Sequence, residues 1–144
     1  LLAGVVNKKE NLLKALELFE EALKIRNKEQ MPLDYTETMC NVGETYKYLS
    51  EAEDEEANLL KAKDALEDAL SLKEIEKHPL TYSTIKYTLG VVVLNLAAKY
   101  GSRQNGLDFD IGIKQLQEAS VAAKGYSESH YNMIINEIEK RKTI

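Results

Sequence analysis

A chain of 144 residues, 44% hydrophobic and 30% charged, has the size and balance of one ordinary globular domain that can bury a core without staples. Its formal charge of −5 argues against nucleic acid or an anionic membrane surface as partner, because both call for a concentrated basic face. The lone cysteine, Cys40, excludes an internal disulfide and a multi-cysteine metal site, and suits a reducing, cytoplasmic setting.

Taken in chain order, the sequence reads as a run of helices. No apolar stretch approaches bilayer length, and the opening LLAGVV is too short for a signal-peptide core. Leu1-Leu2 read as the tail of an earlier helix, so the chain is expected to be a piece of a longer protein. A first helix carries Leu12, Ala15, Leu16, Phe19, Ala22, Leu23 and Ile25 at spacings of three and four. Pro32 blocks its continuation. A second helix follows with Tyr35, Met39, Val42, Gly43, Tyr46 and Leu49 on one face, and ends somewhere in SEAEDEEA, residues 50–57. The third runs from Leu59 to Leu72, and the fourth from Leu80 to about Tyr100. Val91 to Leu94 are apolar all round that fourth helix, so part of the run must be core. GSRQNG, residues 101–106, is a loop. A fifth helix with Gly112, Leu116 and Ala119 ends at Lys124-Gly125, where glycine can take a left-handed cap. The last, from Ser127 to Lys142, carries Tyr131, Ile134, Ile135 and Ile138, and its closing Lys140-Arg141-Lys142 complements the helix dipole.

The run is periodic. NLLKALELFEEAL at residues 11–23 returns as NLLKAKDALEDAL at 58–70, an offset of 47, and residues 11–50 match 58–97 at 14 of 40 positions without a gap. The matches include Pro32/Pro79, Tyr35/Tyr82 and Gly43/Gly90, which shared helical composition would rarely align. A weaker third copy has Gly112, Leu116 and Ala119 in the places of Ala62, Leu66 and Ala69 at an offset of 50. The units span about 9–53, 54–100 and 107–142 of a single domain. In the last helix Glu139 stands near where the small Gly90 would recur, so nothing packs there, as befits a terminal cap.

Two helices approach closely only where both lack bulk. Gly43 and Gly90 with Ala15, Ala22, Ala62 and Ala69 supply that, while Phe19 and Leu66 fill the space between. Met39-x-x-Val42-Gly43-x-x-Tyr46, followed by Ala62-x-x-x-Leu66-x-x-Ala69-Leu70 and then Pro79, resembles the tetratricopeptide repeat. The period is 47 residues rather than 34, and Val93 replaces the aromatic in the second copy. HEAT or armadillo repeats would suit the period equally; the Ala/Gly spacing favours the tetratricopeptide reading. The resemblance implies an all-α fold: a right-handed superhelical stack of antiparallel helix pairs, about six helices with a C-terminal cap. It implies a concave face that holds a peptide or helix of a partner protein. Counted from the glycines, that face would expose Glu37, Cys40, Glu44 and Lys47 in one unit, and Thr84, Tyr87, Val91, Leu94 and Asn95 in the next. The family's carboxylate clamp is not matched by Lys47 and Asn95 alone, and Glu44 would repel a C-terminal carboxylate. A helical or extended apolar peptide is expected instead. The competing expectation is a self-association or spacer segment of a larger signalling or regulatory protein, with Tyr87, Val91 and Leu94 packed on another copy or a missing repeat.

Catalytic chemistry is not expected. His78 shares its turn position with Met31 one unit earlier, which marks a turn residue. His130, beside Ser127 and Ser129, has no acidic orienter and is expected on the surface. Cys40 has no basic neighbour to activate it. Asp108 and Asp110 lack the run of oxygen ligands of a calcium loop and suit helix capping, and the acidic run 51–56 suits a solvated turn. No cofactor, metal, nucleic acid or membrane is implied.

Overall fold

The computed structural model describes the backbone of residues 2–100 and 108–142, with side chains from residue 7 onward within those ranges. It is helical throughout: α1 (Leu2–Leu23), α2 (Pro32–Ser50), α3 (Glu55–Leu70), a 3₁₀ turn (Lys73–Lys77), α4 (Pro79–Tyr100), α5 (Phe109–Ala123) and α6 (Glu128–Lys142). Among the described residues there is no strand, and no helix is long and apolar enough to cross a membrane. The loop expected at 101–106 lies outside the described residues.

Two expectations at α1 need correction. Leu2 is continuous with the helix that runs to Leu23, so it belongs to α1 rather than to a separate, earlier helix. The helix also stops two residues short of Ile25. There the chain tightens, the Lys24 and Ile25 N–H groups turning back onto the carbonyls of Glu21 and Ala22 at 3.2 and 3.1 Å, and Ile25 is left 74% exposed.

Proline marks the start of α2 and α4, where a missing N–H costs nothing. The residue before each proline accepts the first helical bond: the Met31 carbonyl from the Tyr35 N–H and the His78 carbonyl from the Tyr82 N–H, both at 2.9 Å. Ser127 does the same for Tyr131 at 2.9 Å. The unmarked break falls at 51–54. No glycine is needed because Asp54 itself turns left-handed, at φ 43°, which a short polar side chain tolerates. The buried Asn58 donates its side-chain N–H to the Glu53 carbonyl at 2.9 Å and holds the turn. The third helix ends at Leu70 instead of Leu72, and the 3₁₀ turn that follows was not foreseen; its one apolar residue, Ile75, is buried. At α5 the Asp108 carboxylate caps the helix by accepting the Ile111 N–H at 2.8 Å. Gly125 follows α5 at φ +87°, the left-handed conformation expected of it.

The chain divides into two compact units, Leu1–Leu72 and Lys73–Ile144. In the first, α2 pairs closely with α3 while α1 packs more lightly on α2. Its core is Leu16, Val42, Leu49 and Ala65, with Leu12, Phe19, Met39 and Tyr46 packed against them. In the second, α4 pairs closely with α5, and α6 lies on α5. Its core is Val91, Leu94, Ile113, Leu116, Ala119, Ala123, Ile134 and Ile138, with Tyr87, Tyr131 and Ile135 alongside. Each tight pair therefore joins a glycine helix to the alanine-rich helix that follows it.

Candidate partner-binding surface

The crossing within each pair determines which faces remain free. A β-carbon added to Gly43 would meet Leu66 Cγ at 2.6 Å, and one added to Gly90 would meet Leu116 Cδ2 at 2.8 Å. Below about 3 Å something must move, so both glycines are required by the approach of the neighbouring helix. The same crossing carries a hydroxyl-to-carbonyl bond. Thr36 Oγ1 donates to the Ala69 carbonyl at 3.5 Å, and Ser83 Oγ to the Ala119 carbonyl at 2.7 Å. In the first unit the Tyr35 hydroxyl also donates to the Asp68 carboxylate, and Lys61 sits 5.6 Å from the centre of the Tyr46 ring.

The second pair has one extra adaptation. Gly112 stands where the first has Ala62, and a β-carbon there would meet Leu94 Cγ at 2.6 Å. Leu94 in turn stands where the first unit has Lys47. The absence of a β-carbon on Gly112 leaves room for Leu94 to turn inward there.

That inward turn explains why part of the expected groove is closed. On α4, Val91 and Leu94 are 8% and 2% exposed, so they line no open surface. They belong to the same core as Ile134 and Ile138 of α6. Tyr87 is half-buried, with its ring 6.3 Å from that of His130 in an edge-on contact. Asn95 accepts from Arg141 Nη2 at 2.9 Å, and Arg141 Nε also donates to Glu137 at 2.8 Å. Thr84 is half-buried. Thus α6 reaches across to the α4 face that the sequence reading left open, and Tyr87, Val91 and Leu94 find their apolar contacts in the same unit.

On α2 the expected face is partly available. Glu37 is exposed, Glu44 and Lys47 are half-buried, and Cys40 is buried. Burial pushes the Cys40 thiol up to about 12, and the carboxylates of Glu44 and Glu37 push the same way, so it is neither a contact residue nor a nucleophile. Burial also raises the Glu44 carboxyl, with Lys47 pulling it back. Asn41 and Tyr48 are exposed on this helix, and the sequence reading missed both. Stepping from Glu37 by four, three and four reaches Asn41, Glu44 and Tyr48, a helical spacing that would have found them. The Lys47 and Lys8 ammonium groups lie 5.2 and 5.7 Å from the Tyr48 ring centre.

Compared with models of protein families, with curated proteins and with solved structures, this chain matches none. Ser127 Oγ accepts the backbone N–H of His130 at 3.2 Å, which makes it a helix cap rather than half of a Ser–His pair. His130 is half-buried: its Nε2 is shielded from solvent without a hydrogen-bond partner, and burial lowers its pKa. Among the described residues no three His, Cys, Asp or Glu side chains come together to hold a metal ion.

Proposed function

We propose that this chain is a protein–protein interaction scaffold that holds a peptide or helix of a partner protein. The observation that carries the reading is the duplicated crossing, Gly43 over Leu66 and Gly90 over Leu116. A unit built twice around the same small-residue contact is the construction of a helical repeat, and repeats of this kind present extended binding faces. The tetratricopeptide likeness supports the same reading. On it the pairs stack into a right-handed superhelix whose inner face includes the open part of α2. Glu37, Asn41, Glu44, Lys47 and Tyr48 form that part, a polar surface with one aromatic. Such a surface suits a partner segment with basic residues flanking an apolar anchor, because Glu37 and Glu44 supply the charge and Tyr48 the contact area. The chain acts as a binding module and not as an enzyme.

The test is partner capture from source lysate by the wild-type chain and by a Glu37→Lys/Glu44→Lys variant, with matched helical content and melting temperature. A partner retained by the wild type and lost by the variant is expected. Equal capture by both would remove α2 as the binding face. Light scattering of the wild type across a wide concentration range separates the self-association reading, which requires a mass that grows with concentration.

A further inference from the structure

The last helix is held to the second unit differently at its two ends. In its middle, Ile134 and Ile138 are the buried side chains of α6, and they share a core with Val91 and Leu94 of α4. Towards the C-terminal end Arg141 is a latch. It donates to Asn95 of α4 at 2.9 Å and to Glu137 of its own helix at 2.8 Å. At the other end His130 meets Tyr87 of α4 ring to ring, with centroids 6.3 Å apart and planes at 68°. The Nε2 atom of His130 is shielded there and has no hydrogen-bond partner.

A neutral imidazole can occupy that position, but an imidazolium is penalised in it. Both ring nitrogens of the charged form are donors, and a shielded charge without an acceptor is costly. The charged groups on the packed helices are engaged or turned to solvent. On α4, Tyr87 is the titratable group in contact, and Lys86 is paired with Glu118 of α5 at 3.3 Å. The other charged side chains of α5, Asp110, Lys114 and Lys124, are exposed. On α6, Glu128 is exposed, Tyr131 packs on the core and Glu137 is held by Arg141. Burial alone accordingly sets the direction in which the His130 pKa moves, downward from 6.5.

We propose that α6 is a pH-sensitive strap over the apolar face of α4, in which a proton taken up by His130 frees the first turns of α6 from Tyr87. The docked ring is neutral and the released ring reaches water, so the proton and the docked helix compete for the same side chain. Release begins at the His130 end, because the Arg141 latch holds the other. The device lies within the second unit and does not depend on the open face of α2.

Hydrogen exchange of the full chain, followed by mass spectrometry and expressed as protection factors, tests this at about pH 7.5 and about pH 5, on either side of the ordinary histidine range. Protection of the first turns of α6 is expected to fall at least about two-fold at the lower pH, while that of α5 holds. His130→Phe keeps an aromatic ring against Tyr87 without the titration and should abolish the fall. His130→Gln should do the same, and it keeps the test meaningful if phenylalanine disturbs the packing. Unchanged protection in the wild type would mean that the Tyr87 ring shelters the imidazolium, and would overturn the proposal. So would an equal fall in both variants, which would assign the proton to another group. A parallel loss in α5 would also overturn it, because the whole unit would then be unfolding rather than releasing one helix.

Discussion

At the scale of single residues, the glycines are the firmest determinants. A valine at position 43 would force its β-carbon and a branched methyl into Leu66, where Cγ lies 2.6 Å from the nearest added atom. Overpacking of this kind costs about 1–3 kcal/mol. Gly43→Val should therefore lower the thermal midpoint and the urea midpoint together, with little change in the denaturant slope. Ionisation leaves a second signature. Burial depresses the His130 pKa, so the unfolded chain binds more protons there than the folded one in the window just below 6.5. Stability should be full above that window and fall as pH drops through it. Glu44 acts in the opposite sense: its raised pKa means the folded chain binds more protons above 4.5, so its contribution declines as pH rises. Between 4.5 and 6.5 the two slopes oppose, so melting temperature should fall more steeply with rising pH in His130→Phe, where only the Glu44 loss remains, and climb with pH in Glu44→Gln, where only the His130 gain remains.

At the scale of the elements, the sequence made the helices and their crossings legible for a physical reason. Helical spacing of apolar residues, proline at the first helical position and small residues at the contact are local signals, each readable without knowing the partner helix. The glycine at 43, the alanines at 62 and 69 and the hydroxyl-for-hydroxyl exchange of Thr36 and Ser83 all lie on that crossing. The candidate binding face was less legible, because it depends on what else covers the helix. Counting from Gly90 named Val91 and Leu94 as part of an open face, yet both are core, packed with α5 and shared with Ile134 and Ile138 of a helix some forty residues later. The left-handed Asp54 and the 3₁₀ turn around Ile75 escaped for a related reason. Their residues carry no periodic pattern, and only tertiary burial shows them to be structured. Incomplete coverage should also show in dynamics. α1, with its half-exposed stripe, should exchange its amide hydrogens well before α4 and α5, which share the larger core, when hydrogen exchange is followed by mass spectrometry.

At the scale of the whole molecule, the notable fact is that each of the two compact units encloses its own apolar cluster. The second has more fully buried side chains from three helices, whereas the first leaves one of its three lightly held. A fragment of residues 73–144 is therefore expected to keep its helical circular dichroism and melt cooperatively on its own. A non-cooperative, low-amplitude melt would mean that its core requires the preceding half. Small single units of this size lie near the margin of independent folding, so the result is informative either way.

The pair formed by Leu94 and Gly112 carries a consequence for how such a chain can change. Its counterparts in the other unit are Lys47 and Ala62, so the two copies have reached different solutions at the same pair of positions. Passing from one solution to the other by single replacements allows two intermediates. Leucine facing alanine would place a methyl 2.6 Å from Leu94 Cγ, while lysine facing glycine costs only about 1 kcal/mol of helix propensity. The accessible route in either direction passes through the glycine. A substitution at one position thus opens or closes a substitution at the other, and the two copies are no longer interchangeable parts.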